Sequence, residues 1–373
     1  MATLYGAVLL ADVAPDQTYL GNPLLDQETL WDVTATAIAQ HNADLALQAS
    51  LFVGEDTTNA TERYDQSGGG TMQLMGEQSQ PAAVKAGGGF DVGYPIQEWA
   101  DQIAAGDIAW RYMALTDYQR HVQTILNRDA NTRRQAIMRS LFRNTPWVFR
   151  DATRRNAPSV TVKSIANGDG DTYMSALGSL TEATDNHFLT SGYLATAISN
   201  INDPYPVLVG ELSEHQGRVT GGQEIVVFIN AAQAQLTRAL AAFVPVANRF
   251  VTPGVNDDTV NAAGLGIIPT GMTAEIIGVH SEAGCAIAVW DAVPAGYMVA
   301  VHRGMEPTLK RRVDISGVGI PIGLHLVREG PTSPYPFINA FWRNRYGYGV
   351  YNRIGVAIMQ LTAGAYVIPA VYA

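Results

Sequence analysis

Residues 223–240 read QEIVVFINAAQAQLTRAL. The first part is a β-branched apolar run, the composition of a buried strand. Asn230 follows it, with Gln233 three positions on. That spacing predicts a capping box, in which the asparagine side chain and the glutamine side chain satisfy backbone donors reciprocally at a helix start. Leu236, Leu240 and Phe243 then recur on one face, predicting a helix over 231–244. A strand delivered into a capped helix sets the α+β character of the chain, and the neighbouring text extends it. GCAIAVWDAV and GYMVAVHRG (284–304) read as paired strands joined through Pro294 and Gly296. ISGVGIPIGLHLVRE is a further strand region, 354–361 another, and a short strand closes the chain.

Upstream the text changes. Residues 1–27 hold Pro15, Asn22 and Pro23 with little periodicity and read as an extended arm. A helix is expected over 28–49, followed by a strand in SLFVGED. Two glycine triplets, 68–70 and 87–89, bracket a polar stretch within 57–93 that lacks the apolar content for its own core. It reads either as a linker or as a long β-hairpin arm lying on something else. YPIQEWADQIAAG predicts a short helix opened by Pro95. A long helix is expected from about Asp117 to Phe142, with Thr116 as N-cap, apolar positions at three- and four-residue steps, and Pro146 beyond its end.

The charge is uneven. The 373-residue chain carries a net charge of -10, yet residues 1–110 alone have a balance of -13 and residues 111–155 a balance of +7. The acidic whole disfavours general nucleic-acid or anionic-membrane binding. Arg120, Arg128, Arg133, Arg134, Arg139 and Arg143 crowd the long helix with only Asp117 and Asp129 beside them, so an acidic partner is expected. Near the C-terminus RNRYGYGVYNR (343–353) interleaves arginines, tyrosines and glycines, the residue types of interface anchors or of a core whose arginines reach outward. Charged residues are only 16 % of the chain, which points to surface covered by other protein. One cysteine, Cys285, rules out an internal disulfide and fits a reduced site of synthesis; it reads as a small core residue. No secretory signal or membrane-length apolar run is present, so a soluble protein made inside a cell is expected.

Conventional catalytic signatures are missing. There is no GxSxG, no phosphate-binding GxxxxGK[ST], and no HxxxH among seven scattered histidines, so neither a metal site nor a cofactor is expected. NGDGD (167–171) resembles the start of a calcium loop, but Thr172 stands where the glycine belongs and Gly178 where the bidentate acid belongs; a plain turn is the expectation.

The order of elements — arm, glycine-rich loop, long arginine-bearing helix, strand with capped helix in VVFINAAQAQL, paired strands, then RYGYGVYNRIGVAIMQL — resembles the major capsid protein of tailed bacteriophages, the HK ninety-seven type of fold. The resemblance implies an α+β fold with an N-terminal arm and first helix (1–56), an extended β-hairpin loop (57–110), a peripheral domain carrying the long spine helix (111–195 with 340–373) and an axial domain (196–339). It implies a structural protein that assembles as a homo-oligomer, in hexamers and pentamers, into an icosahedral shell around double-stranded DNA, with no membrane and no enzymatic role. Portal, scaffold and decoration proteins would be its neighbours in the virion. The chain opens on arm-like text without a charged helical leader, which favours a separate scaffold over a fused one.

On this reading Glu55, Asp56, Glu62, Asp65 and Glu77 of the arm and loop reach arginines of an adjacent subunit, and Arg343, Arg345 and Tyr346 brace subunit contacts. Some relatives cross-link a loop lysine to an asparagine; Lys85 and Asn339, Asn344 or Asn352 would be the residues here. Three alternatives remain: an encapsulin-like nanocompartment shell of the same fold, a nucleic-acid-binding protein using the 111–155 arginines, and a β-rich glycan-binding or enzymatic protein.

Overall fold

The computed structural model describes residues 20, 27–65, 72–75, 88–103, 112–151, 159–173, 183–216, 225–245, 268–269, 272–315, 319–328 and 340–373. The chain divides into two compact units, one of Met1–Gln48, Ile96–Ala136 and Arg312–Gly347, the other of Ala49–Pro95, Ile137–Arg311 and Tyr348–Ala373.

In the first unit, helix α1 (Gln27–Ala49) and the N-terminal part of helix α2 (Leu115–Phe142) share a core. Leu30 and Ile38 meet Tyr118, Val122, Ile125 and Leu126, positions spaced by three and four as one helical face requires. Trp342 closes the cluster from the strand Ala340–Val350. That strand lies between His325–Arg328 and Gln97–Gln102, antiparallel to both. Residues 97–102 are therefore a strand and not the helix that Pro95 suggested. Pro95 restrains the chain just as well before an extended edge, and the ladder offered by 341–346 outweighs the local helix signal. The long helix is present with one change at its start: it begins at Leu115, so Thr116 sits inside the first turn rather than at the cap.

The second unit is built on a seven-stranded sheet. Its order is Phe243–Pro245, Glu275–His280, Cys285–Val289, Ile225–Ile229, Tyr297–His302, Val356–Gln360 and Phe188–Thr190. All five residues of the 225–229 strand are buried, which follows from its central place with both faces covered. Ile225, Val227 and Ile229 point to one layer with Ile287, Met298, Ala300 and Met359, where Tyr205, Leu208, Val209 and Leu212 of helix α3 (Tyr205–Gln216) pack on them. On the alternate positions Phe228 meets Phe52 and Trp290, ring centroids 5.9 and 5.5 Å away.

Two pieces of this sheet differ from expectation. The strands 285–289 and 297–302 are not paired with each other, because 225–229 inserts between them, parallel to the first and antiparallel to the second. Helix α4 (Ala231–Arg238) is shorter than predicted and Phe243–Pro245 turns back as an edge strand on 278–280. Among the described residues no strand follows Gln360. The capping box is formed as read: Asn230 Oδ1 accepts from Ala232 N at 3.0 Å and Asn230 N donates to Gln233 Oε1 at 3.0 Å. Cys285 is a buried residue of the core.

The glycine-flanked segment begins and ends as a hairpin base, Thr61–Asp65 antiparallel to Gly89–Gly93. No helix among the described residues is long and apolar enough to cross a membrane.

Candidate functional site

RNRYGYGVYNR is divided between the two units, and the aromatic residues go inward. In the first unit Tyr346 is 2 % exposed, with the Arg133 guanidinium 5.7 Å from its ring centre and Trp99 at 6.4 Å. Arg345 pairs with Asp314 at 3.4 Å and Arg343 with Glu98 at 3.5 Å. In the second unit Tyr348 and Tyr351 are buried, and a Cβ on Gly349 would stand 2.9 Å from Gly93 O, which is why glycine belongs there. Tyr346, Tyr348 and Tyr351 are thus buried within the chain, and so is Arg353, which a core with outward-reaching arginines would have left exposed.

The acidic front finds cations close to home. Asp56 takes a two-pronged bond from Arg311, at 2.8 and 2.6 Å. Arg63 bonds Asp65 at 3.0 Å and Asp91 at 3.3 Å. Glu62 is the centre of a cluster: Thr57 Oγ1 and Asn59 Nδ2 donate to one oxygen, Tyr64, Tyr94 and Lys310 to the other. Burial alone would raise the Glu62 pKa, but the hydrogen bonds from Thr57, Tyr64 and Asn59 and the Lys310 charge bring it down to about 2. Lys310 also lies over the Tyr351 ring at 4.6 Å. Glu55 is exposed, and Glu77 and Lys85 lie outside the described residues.

The arginines of α2 separate into kinds. Arg133 is 5 % exposed and belongs to a buried network. Its Nε faces Asp129 Oδ2 at 3.0 Å and another nitrogen donates to Asn42 Oδ1 at 2.6 Å. Asp129 is further bonded by Asn344 at 2.7 Å and His41 at 3.1 Å, and Asn42 holds both the N–H and the carbonyl of Leu324. Gly323, at φ +91°, makes this approach possible, since a Cβ there would lie 2.7 Å from the Asn42 amide oxygen. Asn344 is thus occupied as a structural donor; Asn352 donates to Glu306 O at 2.6 Å, and Asn339 lies outside the described residues. Arg120 and Arg128 meet Asp117 and Asp101 at 3.4 and 2.8 Å on the surface. The helix is therefore less unbalanced than its sequence implied. Arg134 and Arg139 remain exposed, Arg134 bonding Asn131, and Arg143 lies 5.1 Å from the Trp147 ring. Burial and the neighbouring charge of Arg139 hold the Arg143 pKa below the ordinary guanidinium value.

Sequence reasoning missed the role of NGDGD. These residues belong to the strand Asn167–Tyr173, with Gly168 and Gly170 at positive φ, and they present Asp169 and Asp171 to Arg353. Arg353 has no exposed side-chain area. It donates to Ser164 O at 2.7 Å and Asn167 Oδ1 at 3.0 Å, binds both aspartates, and lies 5.5 Å from the Phe90 ring; Lys163 completes the set at 2.9 and 2.8 Å from Asp169 and Asp171. The repeated Gly-Asp was the available signal, because it places carboxylates at alternate positions of an irregular strand. These clusters pair charge with charge and ring with ring. Large apolar side chains are exposed as well: Met72 and Leu74 are 101 % and 100 % accessible, Ile201 94 %.

No family model matches the chain, and no curated protein matches it. Among solved structures, a chain of Mycobacterium phage Patience is similar over 96 % of this chain and 98 % of that one, at 20 % identity and a TM-score of 0.64. A chain from the capsid of cyanophage P-SCSP1u matches at 10 % identity over 84 % and 87 % of the two chains, TM-score 0.47. One from the capsid of Myoviridae phage XM1 matches at 8 % identity over 85 % and 92 %, TM-score 0.45. The first likeness shows the fold: this chain shares the α+β fold of that phage chain over nearly its full length.

Proposed function

We propose that this protein is the major capsid protein of a tailed bacteriophage, assembling in hexamers and pentamers into an icosahedral shell that encloses double-stranded DNA. The observation that carries the reading is the full-length likeness of fold to the chain of Mycobacterium phage Patience. The fully exposed Met72 and Leu74, between the two strands of the hairpin base in sequence, support it, because exposed apolar side chains of this size gain by burial on another copy. In this reading residues 57–110 form the loop that lies on a neighbouring subunit, 111–195 with 340–373 the peripheral domain and 196–339 the axial domain. Glu55, with any oxygens of Asp56 and Asp65 not used within the chain, faces basic residues of the neighbour. Exposed pairs of this kind contribute about 0–1 kcal/mol each and set register. Scaffold, portal and decoration proteins are the accompanying partners, and the virion is the destination.

Electron microscopy of the purified, concentrated protein tests this. Closed icosahedral particles are expected; a protein that stays monomeric under all assembly conditions, including co-expression with a scaffold, overturns the proposal. Particles isolated from their natural source separate the phage shell from the nanocompartment shell: packaged DNA supports the first, an enzyme cargo the second. Reversal of the exposed Arg134 and Arg139 to Glu is expected to reduce particle yield while leaving the unfolding temperature of the monomer unchanged. Arg133 is unsuited to that test, because its charge is buried against Asp129.

A further inference from the structure

Two histidines and an aspartate converge in the second unit, at a place the shell reading does not use. His187 lies between the strands Ala183–Asn186 and Phe188–Thr190, and His215 in the last turn of α3. Their Nε2 atoms lie 2.7 and 2.6 Å from the same oxygen, Oδ2 of Asp185, and their rings are 5.5 Å apart. Asp185, His187 and His215 present ligand atoms within 4.8 Å of one another, as do Asp185, Glu211 and Glu214.

The decisive detail is the orientation of His187. Its Nδ1 is 2.8 Å from the carbonyl oxygen of Val356, which can only accept, so Nδ1 carries a proton. In the neutral ring the Nε2 lone pair then points into the cluster. Nε2 is fully buried, and its polar neighbour in the cluster is Asp185 Oδ2 at 2.7 Å. An imidazole whose far nitrogen is fixed on a backbone carbonyl, with its lone pair aimed at a carboxylate and a second imidazole, has the arrangement of a metal ligand held by its second shell. Glu211 stands one helical turn before His215, on the same face of α3.

We infer that Asp185, His187 and His215 form a binding site for a divalent transition metal, Zn2+ above all, with Glu211 beside Asp185 as the nearest further carboxylate. Two imidazoles and carboxylate oxygens are the donor set such ions take, whereas Mg2+ and Ca2+ prefer oxygen alone. Tetrahedral Zn2+ at its usual bond lengths separates neighbouring ligand atoms by about 3.3 Å, so Oδ2 of Asp185 has to withdraw by a little over ~0.5 Å, within reach of a side-chain rotation. The ion would clip the 183–190 strand segment to the C-terminal turn of α3. The site has no local sequence signature, because Asp185 and His187 lie in one segment and His215 in another, with no histidine pair in either.

The inference does not depend on assembly and is tested on the full chain after dialysis against EDTA. Equilibrium dialysis against Zn2+ with elemental analysis is expected to give one ion per chain. His215→Gln is expected to weaken uptake by at least 10–100-fold, the loss that even second-shell changes produce. His121→Gln, at an exposed histidine of the first unit, is expected to leave it unchanged. Co2+ in the wild type is expected to show the intense visible absorption of a tetrahedral site, a readout that holds even where a variant fails to fold. Absence of Zn2+ uptake by the wild type, equal uptake by His215→Gln, or a weak octahedral Co2+ spectrum overturns it.

Discussion

Arg353 shows how much a single side chain can organise. Its guanidinium joins two aspartates, two backbone carbonyls and an asparagine with no exposed area of its own. Removing one partner of such a set leaves charge buried and uncompensated. Arg353→Met is therefore expected to cost about 3–5 kcal/mol in urea unfolding. Arg353→Lys should recover only part, since an ammonium cannot reproduce the planar fork that reaches Ser164 O and both carboxylates together. Wild-type stability in Arg353→Met would show that the network is neutral. Glu62 carries the pH dependence at this scale. Its pKa is lowered on folding from 4.5 to about 2, so its stabilisation is complete above the unfolded value and disappears as pH falls through the folded one. Glu62→Gln is expected to flatten the acid limb of stability between those limits, measured by denaturant midpoints across pH 2–5; an unchanged limb would contradict the assignment. Neither cluster was legible beforehand. Arg353 and Asp169 are 184 positions apart, and no local pattern signals a pairing across that distance.

Elements were more legible than residues, and the reason is periodicity. The helix Leu115–Phe142 and the strand Ile225–Ile229 carry their signals within a dozen neighbours, whereas Gln27–Ala49 shows little apolar periodicity. The capping box of α4 is the most local of all, and its prediction belongs here. Asn230→Ala is expected to destabilise the second unit by about 0.5–2 kcal/mol, with Gln233→Ala a smaller loss, both read by thermal unfolding. The side chain of Asn230 also donates to Val293 O at 2.7 Å, which places the cost toward the upper end of that range. Equal stability of Asn230→Ala and wild type would show that the cap contributes nothing. Where sequence reading failed, a ladder supplied from elsewhere decided the outcome. Residues 97–102 became a strand because 341–346 offered a partner. The strands 285–289 and 297–302 lost their mutual pairing because 225–229 lies between them, an arrangement no hairpin signal predicts.

At the scale of the whole molecule the sequence carried the order of elements, and with it the fold, while the partners of its charges remained hidden. The acidic front and the arginine helix suggested contact between subunits; within one chain many of those groups already have partners, so charge alone is a weak guide to assembly. Apolar exposure is the stronger one. Met72, Leu74 and Met75 are 101 %, 100 % and 61 % accessible, in a segment whose two ends are held together by the hairpin base at 61–65 and 89–93. Each such side chain gains about 1.5–3 kcal/mol when fully buried, and a shell repeats the contact in every copy. Replacing all three by serine removes that gain without touching a core. The variant is expected to unfold at the wild-type temperature, to elute as a monomer, and to yield few or no closed particles by electron microscopy. A lowered unfolding temperature would mean that these residues serve their own chain. Normal particles from a stable triple variant would mean that the shell is held elsewhere, and the exposed surface around Ile201, 94 % accessible, would be the next to change.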